Sequence, residues 1–141
     1  MKSVNIISIF TGISMFMFGF LKLFYPISEW FHIQISKSGL SGYLYWPGIL
    51  SEILVGLLLL SAVFFRKRIP LHLLKIVLLF GSMWVIGNMA VAVYVHLQPA
   101  VPAYVLPLKI KPPYMPLFFI VLAAINMLLI SKVPAKAEID F

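Results

Sequence analysis

Cysteine is missing altogether from this chain, and acidic side chains nearly so: four Asp and Glu stand against eleven Lys and Arg in 141 residues. Without cysteine there is no disulfide framework, no thiolate metal site and no CxxC relay of the kind a quinone-linked thiol oxidase needs. The sequence also has no HExxH, no two histidines at four-residue spacing, no GxSxG, no Walker loop and no GxGxxG following a strand. Hydrolysis, phosphoryl transfer and dinucleotide binding therefore have no motif to rest on. Charged residues of either sign make up 11% of the chain, while 62% is hydrophobic, which leaves too little polar surface to coat a soluble domain.

Long apolar runs fill the space left by those absences, and the mean hydropathy is +1.06. The first run, Val4 to Leu23, covers roughly 30 Å as a helix, the thickness of the hydrocarbon layer. A secretory signal peptide is the competing reading, but the run exceeds a usual h-region and no small-x-small cleavage site follows it. Three further runs, about 47–65, 71–97 and 114–131, complete an expected set of four spans with the first at about 4–24. The expected fold is an all-α polytopic membrane protein, a single four-transmembrane-helix bundle over residues 1–141.

The formal net charge of +7 does not mark a nucleic-acid binder, because the basic residues sit at the ends of the apolar runs rather than on one face. They read as topology signals and headgroup anchors. Lys2, Arg66, Lys67, Arg68, Lys75, Lys132 and Lys136 fall on one side, and Lys22, Lys37, Lys109 and Lys111 on the other. That excess places both termini in the cytoplasm of a cell with an inner membrane. Arg66 to Pro70 is a tight turn that makes the second and third spans antiparallel neighbours. The outward connections are longer. Residues 25–46 carry Trp30, Phe31, Tyr43, Tyr45 and Trp46, and 98–113 carry five prolines that block a further helix. The polar tail from Lys132 to Phe141 is expected to fray.

Glu52 is the only acidic side chain inside any apolar run. An ionisable group at membrane depth costs on the order of 3 kcal/mol on insertion scales, so it faces a partner, a cavity or a substrate. The topology brings Lys22, at the outer end of the first span, to the same leaflet, with Glu52 roughly 8 Å below the surface. His96 lies at the outer mouth of the third span and Asn88 about two turns deeper. Gly48, Glu52 and Gly56 share one helix face, on which a neighbouring backbone can approach closely on either side of the carboxylate. Ser8, Gly12 and Gly19 form the counterpart on the first span. A structural Lys22–Glu52 ion pair is the plainest reading; a substrate, quinone or proton site is the functional one, and a snorkelling Lys22 the third. His96 at a helix end more simply caps carbonyls than binds a ligand, and Asn88 and Asn126 are most simply interhelical hydrogen-bond partners. No metal site is expected, and the scattered depths of His32, His72 and His96 argue against haem.

Phe18-Gly19-Phe20-Leu21-Lys22-Leu23, Glu52-Ile53-Leu54-Val55-Gly56 and Tyr94-Val95-His96-Leu97 resemble the DoxX-like family of small four-helix membrane proteins. The resemblance runs over nearly the whole chain, with Lys22, Glu52, Gly56 and His96 as the matching positions. It implies a fold more than a reaction, since relatives include a membrane subunit of an archaeal thiosulfate:quinone oxidoreductase, partners in bacterial oxidative-stress assemblies and an animal receptor-assembly factor. Function belongs to the site and not to the fold.

The expected function is thus an accessory subunit of a membrane redox or other membrane assembly, with an outward-facing pocket around Glu52 and no turnover of its own. The alternative is a quinone-binding subunit of a membrane oxidoreductase, in which His96 or Lys22 donates to a quinone carbonyl and Glu52 carries the proton. Its electrons would have to come from another protein, since no cofactor is evident in this chain. A small-molecule permease is the second alternative, though no inverted pair of broken helices supports it. The expected partners are the lipid bilayer, a membrane or redox protein and a second copy of the chain, and not nucleic acid.

Overall fold

The computed structural model describes residues 1–135, so 136–141 of the tail expected to fray over Lys132 to Phe141 lie outside the described residues. Among the described residues there are five α-helices and no strand: α1 (Lys2–Leu21), α2 (Ile27–Lys37), α3 (Tyr45–Phe64), α4 (Leu71–Leu97) and α5 (Tyr114–Ser131). Four helical segments, Lys2–Leu21, Gly42–Phe64, Leu71–Leu97 and Tyr114–Ser131, are long and apolar enough to cross a membrane. Single 3₁₀ turns precede α3 and follow it, and two more, Ala103–Val105 and Pro107–Lys109, shape the α4–α5 loop.

The first span ends earlier than its hydropathy implies. Leu23 and Phe24 are apolar, yet their amides bond back to Phe20 and Leu21 in a tightened turn outside α1, and Lys22 becomes the helix cap. Pro47 sits in the first turn of α3, which starts at Tyr45; there its missing amide hydrogen leaves no intrahelical bond unmade.

A fifth helix occupies the connection between the first and second spans, where the sequence implies only an aromatic loop. The signal was there: Ile27, Trp30, Phe31, Gln34 and Ile35 repeat at helical spacing between Pro26 and Gly39. At 11 residues α2 is too short to span, and its exposed Glu29 and His32 oppose a buried face of Phe31 and Ile35. The prolines of 98–113 do exclude an α-helix there, leaving 3₁₀ turns.

α1 packs along α3 and α4 along α5, while α3 and α4 meet less extensively and α1 also borders α5. Met15, Val55, Leu59, Leu74, Leu78, Val85 and Ile130 are sealed in the common core. The α1–α3 approach is backbone to backbone. A Cβ on Gly56 would lie 2.5 Å from the Phe16 amide nitrogen and 2.7 Å from the Gly12 carbonyl oxygen, and one on Gly19 would lie 2.8 Å from the Ile49 carbonyl oxygen. Only glycine permits that contact. The face expected at Gly48 behaves differently: its neighbour is the Phe31 ring of α2, 3.1 Å from where a Cβ would be, and not the backbone of the first span.

The bundle therefore has two unlike ends. At the turn end lie the Arg66–Arg68 turn, the start of α1 and the end of α5. The loop end carries α2 and the proline-rich loop.

Candidate functional site: an ion pair at an apolar cavity

Lys22 leaves the last turn of α1 and bends toward α3 rather than snorkelling, so that its Nζ donates to both Glu52 oxygens, at 2.8 and 2.7 Å. The two side chains retain only 16% and 11% exposure, so little solvent screens the pair. The ammonium also lies 4.2 Å from the centre of the Phe31 ring, a cation–π contact that α2 supplies. Phe31 is held in turn by Tyr45, at 5.2 Å between ring centres, and His32 stacks on Tyr45 at 3.8 Å. Phe31 of α2 thus flanks the ammonium on one side and Glu52 binds it on another.

Beside this pair lies a cavity of about 650 Å³ at the loop end, with Phe18, Leu40, Met89, Val95, Leu106 and Met115 among its apolar walls. Lys22, Glu52, Asn88 and His96 all line it, so the four candidates chosen from sequence converge on one space. Of the three glycines named for packing, Gly48 also lines it, whereas Gly19 and Gly56 lie against the α1–α3 contact below.

Two polar arrangements that sequence reasoning missed complete the site. Trp84 Nε1 donates to Ser51 Oγ at 2.7 Å, and Ser51 Oγ donates to Asn88 Oδ1 at 2.7 Å, tying α4 to α3 at the cavity floor. Asn88 is the interhelical partner its position implied, but its buried Nδ2 has no acceptor among the described residues. Above, His96 is buried and its Nδ1 lies 3.1 Å from the Lys111 carbonyl oxygen. A carbonyl only accepts, so Nδ1 carries the proton, and Nε2 of the neutral ring is an acceptor. Lys111 folds inward as well, donating to the carbonyls of Gln98 and Val101, the latter at 2.6 Å. Gln34 reaches the Val105 carbonyl and the Tyr94 hydroxyl donates to Ser38 O at 3.0 Å, so α2 and the proline-rich loop form one stitched roof. Lys22 and Lys111, two of the four basic residues at this end, are thus held by internal partners.

The other buried polar group lies lower. Asn126 Nδ2 donates to Ser8 Oγ at 3.0 Å and to Ser82 Oγ at 3.1 Å, joining α5, α1 and α4 below the cavity. Asn5 and Thr11 are buried close by in sequence, their side chains without hydrogen-bond partners among the described residues.

Chemically, the cavity offers one compensated charge pair, one imidazole and one amide on apolar walls. That set can orient an uncharged molecule and pass a proton through Glu52, but it contains no electron carrier and no activated nucleophile. Set against protein-family models, curated proteins and solved structures, the chain matches none.

Proposed function

We propose that this chain is an accessory subunit of a bacterial inner-membrane assembly, which houses a lipophilic small molecule in the loop-end cavity and performs no turnover alone. The observation that carries this reading is the cavity itself: about 650 Å³, apolar-walled, with the Lys22–Glu52 pair on its edge. Small-molecule sites are of this size and character, with few polar groups placed among apolar walls. The basic residues at the turn end, Lys2, Arg66, Lys67, Arg68 and Lys132, support termini in the cytoplasm and a cavity in the outer leaflet. The DoxX-like resemblance of 18–23, 52–56 and 94–97 supports the same assignment.

A quinone is the ligand class that this reading favours. Its carbonyls can accept from Lys22, and reduction to a quinol takes up two electrons and two protons, of which Glu52 can relay the protons. The electrons have to come from a partner protein, which is why the chain is read as a subunit.

Native mass spectrometry with lipid extraction, on protein taken gently from its own membrane, tests both parts at once. A stoichiometric quinone that is lost on Glu52→Gln or His96→Ala supports the quinone-housing subunit. A co-purifying protein without quinone leaves the assembly role alone standing, and neither ligand nor partner overturns the proposal.

A further inference from the structure

The two helix seams that border the cavity are closed differently. The α1–α5 seam is zipped by rings: Phe18 meets Phe119 edge-on at 5.4 Å, and Phe10 stacks on Phe119 at 6.0 Å. Above it the cavity edge is the Pro107–Lys109 turn, where Leu108 is 76% exposed at the loop surface. Among the described residues the α3–α4 seam has no such zipper. Its two helices are joined at the turn end by the short 65–70 connection and midway by Trp84, Ser51 and Asn88. Among the described residues no side-chain hydrogen bond joins α3 to α4 beyond that point toward the loop end.

Pro47 from the first turn of α3 and Val91 from α4 both line the cavity and are both exposed at the surface, with Leu44 of the preceding 3₁₀ turn beside them in the lining. Apolar residues that border an internal space and the outer surface at once, from both sides of one seam, describe an opening. Because α3 and α4 are membrane-crossing segments, that opening faces hydrocarbon and not water.

We infer that the cavity is entered laterally from the bilayer between the loop-end halves of α3 and α4, over a sill formed by Trp84, Ser51 and Asn88, and that its ligand is an electroneutral amphiphile. The inference rests on the ligand-housing reading above and adds the route and the chemical class. Neutrality follows from charge: Lys22 and Glu52 cancel each other at the cavity edge, so a charged head would add an uncompensated ion at membrane depth. An acceptor-bearing head follows from the donor that the pair leaves over, the remaining Lys22 N–H. The polar groups line the inside of the cavity, Ser51 and Asn88 at its floor and the Lys22–Glu52 pair at its far edge, while the α3–α4 mouth is apolar, so the head enters first and the tail stays in the seam or the lipid.

The test uses the unaltered chain in vesicles and a 1,4-naphthoquinone probe whose ten-carbon tail ends in a photoactivated diazirine. Adducts on residues 44–51 and 88–95 that a diazirine-free copy of the probe removes at least tenfold are the expected result. Competed adducts confined to 18–21 and 107–115 overturn the α3–α4 route while leaving the ligand-housing reading intact. Equal competition by decanoate, which has a similar tail and a charged head, overturns electroneutrality. No competable adduct anywhere overturns the cavity reading and this inference with it.

Discussion

The two halves of this bundle bury polar side chains in opposite ways. In the turn-end half, Asn126 reaches Ser8 and Ser82 directly and all three are buried, although the Asn5 and Thr11 side chains of the same half have no hydrogen-bond partner among the described residues. At the loop end, Lys22, Glu52, Asn88 and His96 surround an open space, and the roof over them is stitched from carbonyls by Lys111, Gln34 and Tyr94. The Asn126, Ser8 and Ser82 groups fasten helices by direct contact with one another. Those arranged round a space of about 650 Å³ leave room for something else to complete them.

That contrast is broken most severely by taking one charge from the loop-end pair. Glu52→Leu leaves the Lys22 ammonium mostly out of solvent with the Phe31 ring as its remaining partner, and the expected loss is about 3 kcal/mol, read as a lowered midpoint in detergent denaturation. The double change Lys22→Met with Glu52→Leu removes both charges and is expected to recover most of that loss. A double variant no more stable than Glu52→Leu would mean that the pair is not what holds this end. Glu52→Gln keeps the shape and a hydrogen bond to Lys22, so a folded Gln variant with full cellular function would sink every role in which the carboxylate moves a proton.

The next effect belongs to the helix contact beneath both halves. Gly56→Ala sets a Cβ within 2.5 Å of the Phe16 amide nitrogen, a backbone atom that can yield only if α1 shifts, and costs about 2 kcal/mol. Gly48→Ala, by contrast, meets a ring edge at 3.1 Å that can move by a few tenths of an ångström. Its measured effect should be well under half that of Gly56→Ala in the same denaturation experiment. Equal losses would put Gly48 in a backbone contact after all.

Why the sequence disclosed some of this and not the rest follows from the range of each interaction. The four spans were legible because hydropathy sums over some twenty residues and tolerates errors at the edges. Lys22 and Glu52 could be matched because a charge inside an apolar run is rare and topology fixes its depth. α2 was overlooked because an 11-residue amphipathic stripe next to aromatics resembles an interfacial loop unless its spacing is counted. Lys111 was read as a headgroup anchor because nothing local tells a snorkelling lysine from one that turns back onto the Gln98 and Val101 carbonyls. Ser51 and Trp84 carried no signal at all: their roles exist only once α3 lies against α4.

The smallest effects expected are those of the turn-end knot and of an open position on α4, and they bear on whether fastening and housing are separate duties. Asn126→Leu removes two interhelical hydrogen bonds, yet such bonds within membranes are worth only about 0.6 kcal/mol each, because the separated helices also find partners. The expected loss is about 1 kcal/mol. Gly87→Ala adds a Cβ that nothing lies within 4 Å of, and it should gain about 0.5 kcal/mol from helix propensity alone. Both changes leave the cavity walls untouched, so ligand binding by the Asn126→Leu protein should equal that of the unaltered chain once the fraction folded is matched. Binding that fell more than threefold at matched folding would show that the knot sets the spacing of α1, α4 and α5 around the cavity, and the two halves would then be one device.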